Sequence, residues 1–360
     1  MKRDILDEIR QAKDATHIFI LTHNIDFFFT QSMLLPVLRK CGNPGLTIFA
    51  DSNCASTSFQ EQSRWLDTIG TRYRVVPVHL DSPWRFHPKA VFISSPERGL
   101  LFIGSGNLSY GGWRENAEIW LQYASDDESN PIYDFHNYLQ SLCKAVPNNH
   151  SIQREIDKAF DKIRHPWVEE LKPSSVFLGK PHDGESLSAR IFTQIQGPVN
   201  RLIICTPYFD SKGEMIRRLA AESGAAKVAV LVQENQTNLV QEAVVDLPSH
   251  IELDTIQGDG DKKAFCHAKF YAFESAAGVT VFAGSANCSI AALGLTGNRG
   301  NAEILCRTQV STNDVEALFA GELTLSGQAP NLKSVQEMED SEWKDFTIKI
   351  VSCPDSVLTI

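Results

Sequence analysis

Two short segments hold the side chains best suited to chemistry. Residues 86–93 read FHPKAVFI and residues 266–273 read CHAKFYAF. On an extended strand, side chains two residues apart share a face and lie about 6–7 Å apart, close enough to hold a phosphate between them. His87 and Lys89 form one such pair, and His267 and Lys269 form the other. A single His-x-Lys is ordinarily a partly buried histidine beside a lysine that reaches for solvent. Two copies with one spacing to a second motif call for another reading. Each copy leads into an apolar strand that ends in a Gly-Ser-x-Asn turn, LLFIGSGNLS in the first and VTVFAGSANCS in the second. His87 to Asn107 is 20 residues, as is His267 to Asn287. The Asn107 and Asn287 amides and the Ser105 and Ser285 hydroxyls are candidate donors to phosphate oxygens. Gly104, Gly106 and Gly284 allow close backbone approach. Both copies run on to an acid, Glu118 in ENAEI and Glu303 in GNAEI.

If the two copies face each other, one cleft gathers two imidazoles, two ammonium groups and two amides. Such a site attracts a phosphodiester and contains no carboxylate cluster to hold a catalytic metal. One histidine can attack phosphorus while the other protonates the leaving oxygen and then activates water. The expectation is catalysis with no metal and no cofactor.

The surrounding elements repeat with the motifs, whose histidines stand 180 positions apart. The first half predicts helices near 3–14, 26–41 and 57–69, and strands near 17–22, 46–50, 73–79, 88–94, 100–104 and 117–123. The second half repeats that order: the strand RLIICTPYF, a helix at 215–222, the strand KVAVLVQ, a helix at 236–246, the strand IELDTI and three motif strands. Alternating strands and helices imply an α/β fold of two pseudo-repeated halves, each a mixed sheet flanked by helices, with one shared active site. The expected divisions are 1–125 for the first half, 126–185 for a helical connector and loop, 186–310 for the second half, and 311–360 for a helix and strand extension. The run FTIKIVS in that extension reads as a strand.

At these residues the sequence resembles the phospholipase D superfamily, whose signature is HxK followed by GSxN, present twice. The resemblance covers roughly residues 1–310. It implies a phosphohistidine intermediate and a single site built by both halves. Carried over by position, the catalytic set is His87, Lys89, Asn107 and Glu118 with His267, Lys269, Asn287 and Glu303. Ser105 and Ser285 bind phosphate, and the two glutamates orient the histidines and favour the imidazolium. The signature's Asp, five residues after the lysine, is replaced by Ser94 and Glu274. That departure turns the expectation away from lipid cleavage and toward nucleases. SGNLSYGGW also looks like the corresponding segment of tyrosyl-DNA phosphodiesterases. The resemblance implies a DNA nuclease of the restriction or phage-defence kind. A phospholipase or phosphatidyl transferase, and a non-catalytic nucleic-acid-binding subunit, are the alternatives.

Composition bounds these readings. The chain has 360 residues, 42% hydrophobic and 22% charged, with eight cysteines and no CxxC pair. Neither a disulfide framework nor a zinc site is indicated. No apolar run is long enough to span a bilayer, and the N-terminus lacks a secretory core, so the expected location is the cytoplasm. A net charge of −10 excludes a uniformly basic surface. A local groove must then hold the DNA or RNA partner. Arg72, Arg74 and Arg85 before the first motif and Lys262 and Lys263 before the second are candidates. A homodimer, or association with an ATP-driven translocase or defence complex, is a further expectation. Three other features read as packing: the triple Phe of THNIDFFF, the thiols of Cys266 and Cys288, and Tyr208 of TPYFD, which could also stack a base.

Overall fold

The computed structural model describes residues 5–147, 149–180, 185–258, 264–297, 299–321 and 323–338, with a short hairpin at 351–353 and 356–358. Lys262, Lys263 and most of FTIKIVS lie outside the described residues.

Two mixed sheets form the frame. The first contains β1 (His17–Thr22), β2 (Gly45–Asp51), β3 (Arg74–Val78), β4 (Ala90–Ser94), β5 (Gly99–Gly104) and β6 (Trp120–Ala124), ordered β3-β2-β1-β4-β5-β6. The second contains β7 (Phe177–Lys180), β8 (Arg201–Cys205), β9 (Lys227–Val232), β10 (Ile251–Gly258), β11 (Phe270–Ser275), β12 (Gly278–Gly284), β13 (Glu303–Val310) and β14 (Leu323–Leu325). Its order is β14-β10-β9-β8-β11-β12-β13-β7. The core order is the same in both: three parallel strands, then three antiparallel ones. Continuous apolar runs such as HIFILT and RLIIC suit strands covered on both faces.

The register fixes the correspondence between halves. Leu21 pairs with Ala90 as Cys205 pairs with Phe270, so Thr22 matches Thr206 and Asn24 matches Tyr208. Asp26 and Asp210 match as helix caps. Asp26 accepts from Phe29 N at 3.0 Å, and Asp210 from Met215 N at 2.9 Å. Each cap satisfies an amide at a helix start, typically worth about 1 kcal/mol. Phe27 and Phe29 are buried as expected of packing, but Phe28 is exposed.

Helices cover the outer faces, including Ile5–Gln11 on the first sheet and Leu187–Phe192 and Glu214–Ser223 on the second. The connecting helices Ile132–Ala145 and His150–Ala159 pack into a core that joins Phe19, Leu21 and Phe92 of the first sheet to Ile304 and Cys306 of the second. The halves therefore share apolar core between them. Two helices differ from expectation. The one predicted near 57–69 begins at Ser52, because Asp51 caps it through Asn53 N and Cys54 N. The one predicted at 236–246 is confined to Gln241–Val244, because Asn238 bonds both backbone groups of Phe209 instead.

Candidate active site

The His-x-Lys segments lie just before β4 and β11, not inside them. Their backbones pair with the other half. His87 N donates to Ala302 O at 3.0 Å, and His267 N donates to Ala117 O, also at 3.0 Å. Ala302 N and Ala117 N return the bond to Arg85 O and Phe265 O. This exchange is why the strand predicted from 117 begins only at Trp120. Face alternation still holds: Cys266, Ala268 and Phe270 enter one core, while Tyr271 enters another and donates its hydroxyl to Ala286 O.

The backbone exchange brings each histidine to the other half's glutamate. His87 Nδ1 donates to Glu303 Oε2 at 2.9 Å, and His267 Nδ1 donates to Glu118 at 2.9 and 3.0 Å. A carboxylate only accepts, so each ring carries its proton on Nδ1 and turns Nε2 elsewhere. Ser105 and Ser285 lie behind the acids. Each hydroxyl donates to its glutamate at 2.5 Å and accepts an amide, from Ile119 N at 3.0 Å and Ile304 N at 2.9 Å. The one proton of each serine is spent there, so in this structure these residues brace the glutamates and offer no donor to a phosphate. Asn116 and Asn301 donate to the remaining carboxylate oxygens. The glycines serve this bracing too. A Cβ on Gly104 would lie 2.4 Å from Ile119 O and one on Gly284 would lie 2.3 Å from Ile304 O, so the close approach is to the neighbouring strand, not to a ligand.

Lys89 and Lys269 are fully buried, and each Nζ donates to the carbonyl of its own histidine, at 2.8 and 2.6 Å. The asparagines hold their oxygens inward. Asn107 Oδ1 accepts from Asn24 N at 3.4 Å and Asn287 Oδ1 from Thr206 Oγ1 at 3.0 Å, which turns the Nδ2 donors the other way.

Electrostatics tie the half-sites together. Burial first, then Lys89, His23, Lys269 and His267, hold His87 well below the usual histidine range. Burial and Lys269 lower His267 to about 4, against the opposing pull of Glu118. Both imidazoles are therefore neutral near pH 7: Glu118 favours the imidazolium of His267, but burial and Lys269 outweigh it. Burial lowers Lys269 to about 8 and Lys89 well below its ordinary value. Burial raises Glu303 to about 7. It also acts to raise Glu118, but the His267 bond and charge outweigh it and leave that carboxyl below its ordinary value.

Several expected contributors lie elsewhere. Glu274 is seven residues along the chain from His267, roughly 20 Å at strand rise, and faces Arg201 at 3.8 Å. It cannot tune His267. Ser94 is buried and donates to Ala159 O. Arg74 pairs with Thr47 at the end of the sheet away from the site, and Arg72 bonds Asn43 there. Arg85 alone of the three flanks a motif. Cys266 and Cys288 are buried thiols. Tyr208, in contrast, is 40% exposed and presents its ring edge-on to His267, with centroids 6.2 Å apart.

His23 was set among packing residues in the sequence, yet its ring centroid is 5.0 Å from that of His87. Burial and Lys89 lower it to about 4. The available signal was its position one residue past the end of β1, the strand end that aims Tyr208 in the other half.

Residues 191–321 match a sequence profile described as "Cardiolipin synthase, PLD-like domain". No curated protein gives a significant sequence match. Similar solved structures include a variant of yeast tyrosyl-DNA phosphodiesterase (10% identity, 84% of each chain, TM-score 0.55) and phosphatidylserine synthase of Haemophilus influenzae Rd KW20 (12% identity, 95% of this chain and 90% of that one, TM-score 0.54). Polyphosphate kinase of Porphyromonas gingivalis also matches (13% identity, TM-score 0.50), covering 95% of this chain, which spans about half, 52%, of that enzyme. At such identities the structural likeness shows the fold, and the doubled motif adds the residues. With the profile match in the second half, a shared fold over most of its length and two His-x-Lys/Gly-Ser-x-Asn sets, residues 191–321 match a PLD-like domain and the whole chain is similar to the phospholipase D superfamily.

Proposed function

We propose that the chain is a nuclease that cleaves phosphodiesters in DNA, without a catalytic metal, through a phosphohistidine. The observation that carries this reading is the reciprocal pairing: His87 on Glu303 and His267 on Glu118, with both lysines buried beside them. Neither half completes a site alone. In the proposed reaction, one Nε2 attacks phosphorus and forms a P–N bond as the P–O bond to the leaving oxygen breaks. The other histidine gives that oxygen its proton, then takes one from water, whose oxygen displaces the first histidine. Lys89, Lys269, Asn107 and Asn287 supply positive charge and donors for the non-bridging oxygens, a role that metal ions fill in other phosphodiesterases.

Nucleic acid is favoured over lipid by Tyr208, a half-exposed ring at the edge of His267, suited to stacking a base or sugar. None of the helices among the described residues is long and apolar enough to cross a membrane. A restriction or phage-defence setting, with DNA or RNA, a second copy or a translocase as partner, rests on the sequence resemblance alone. The test is incubation of the purified chain with labelled single- and double-stranded DNA, RNA and phospholipid vesicles, each in excess EDTA. DNA cleavage that survives EDTA is expected. Headgroup release or transfer with no nuclease activity would establish the phosphatidyl-transfer alternative instead.

A further inference from the structure

His23, Asp51 and Cys54 meet beside the first half-site, and their ligand atoms all lie within 4.8 Å of one another. Among the described residues, no other group of three His, Cys, Asp or Glu side chains is so placed. We infer that these three residues form a site for a zinc-class divalent cation, and that filling it silences the neighbouring His87.

The geometry is that of a ligand set. His23 Nδ1 donates to Phe86 O at 3.1 Å, since a carbonyl only accepts, which leaves Nε2 as the free ring nitrogen. Metal-bound histidines are commonly oriented in this way, with the second nitrogen on a carbonyl. Nε2 is 3.5 Å from Cys54 Sγ. Nitrogen and sulfur on one tetrahedral zinc, at about 2.0 and 2.3 Å from the ion, sit about 3.5 Å apart. Asp51 is fixed by Phe86 N at 2.9 Å on Oδ2 and by Asn53 N and Cys54 N at 3.1 and 3.2 Å on Oδ1, which leaves one lone pair, on Oδ2, for a cation. Cys54 is only partly buried, whereas Cys41, Cys143, Cys205, Cys266, Cys288 and Cys306 are buried. Lys89 and Arg85 lie close enough to oppose a cation. Against them, Asp51 and a Cys54 thiolate supply two negative charges once the ion displaces the thiol proton to solvent.

The site belongs to the first half only. By strand register, its counterparts in the second half are Pro207, Gln233 and Gln236. Gln233 keeps the structural part of the Asp51 role, accepting from Cys266 N at 2.8 Å as Asp51 accepts from Phe86 N. Holding the motif backbone therefore needs neither a carboxylate nor the His and Cys. The consequence for His87 follows from the 5.0 Å ring separation. His87 is not one of the three residues whose ligand atoms meet, so an ion would act on it through its charge, set beside the ring, which opposes the cationic ring that forms when Nε2 attacks phosphorus.

The inhibition rests on the proposed function; the binding does not. Cobalt(II), titrated into the wild-type chain and into Cys54→Ser, reads binding by absorption whether or not the chain cleaves DNA. A thiolate-to-cobalt charge-transfer band with strong tetrahedral bands is expected in wild type and absent in the variant, with Cys54→Ala and His23→Asn as second variants should the first misfold. In parallel, zinc should cut wild-type DNA cleavage at least tenfold, reversed by EDTA, and leave Cys54→Ser near its metal-free rate. A cobalt spectrum without the thiolate band, or one unchanged in folded Cys54→Ser, would overturn the site. Equal zinc inhibition of both proteins would overturn the link to His87.

Discussion

His267 donates to Glu118 across 149 positions of sequence and from one sheet to the other, and Glu118 answers with both oxygens at 2.9 and 3.0 Å. Each half lends its acid to the other half's base. A double-mutant cycle on stability should therefore find strong coupling between His267→Asn and Glu118→Gln, on the order of 1–3 kcal/mol, as is typical of residues in one buried network. The same cycle between His267→Asn and Glu303→Gln should be near zero. Coupling of equal size in both cycles would mean that the acids act as one diffuse charge and not as assigned partners.

The buried lysines are held against their own desolvation, and Lys269 carries a value lowered to about 8 from 10.5. Near pH 7 that shift corresponds to about 3 kcal/mol of strain, and the charge-assisted Nζ bond to His267 O returns about 1.5–3 kcal/mol, so the ammonium adds little or nothing to stability. Lys269→Met, which fills the space without the charge, should melt at or above wild type while losing roughly 100-fold or more in turnover. A variant that melts well below wild type would show that the ammonium is a structural group. A stable variant with near-normal turnover would remove Lys269 from the chemistry.

The repeat was legible because its cause is covalent: the matched spacing from His to Asn, and the Asn-Ala-Glu that follows in each copy, need no tertiary information. The exchange of glutamates was not. Glu118 is 31 residues from His87 and Glu303 is 36 from His267, so proximity in sequence favours the wrong pairing. Only the backbone bridges of Ala302 with Phe86 and of Ala117 with Cys266 reverse it. The serine role was hidden for a similar reason, since a hydroxyl's single proton goes wherever the fold puts an acceptor. His23 escaped because three phenylalanines follow closely and draw the reading toward packing, although Phe28 is 62% exposed. Glu274 is the opposite case, close to His267 in sequence and remote in space.

Binding of an anion should draw protons into the cleft. His267 is lowered to about 4, so near pH 7 it is uncharged. An anion between the two half-sites favours the protonated form of every group there, raising His267, Lys269 and Glu303 alike. The sign is therefore proton uptake. Calorimetric titration with sulfate, whose own charge is constant over this range, in buffers of different ionisation enthalpy should show net uptake at pH 7. His267→Asn should show less. Proton release, or no buffer dependence, would mean that the imidazoles are already charged before substrate arrives.

The direction of the proposed two-step reaction follows from the unequal acids. Glu118 lies below its ordinary value and opposes the loss of charge at His267, whereas Glu303 is raised to about 7 and the groups that weigh most on His87 disfavour its charge. His267 is thus the easier ring to protonate, and suits the acid. His87, neutral with Nδ1 held by Glu303, suits the nucleophile. A phosphodiester with a p-nitrophenyl leaving group needs no acid for its departure, which separates the two steps. His267→Asn should release one equivalent of nitrophenol in a burst and then stall, with an acid-labile phosphoryl adduct on His87. His87→Asn should give neither burst nor adduct. An adduct trapped on His267 in the His87 variant would reverse the roles while keeping both histidines, and release by both variants with no adduct on either ring would end the covalent mechanism.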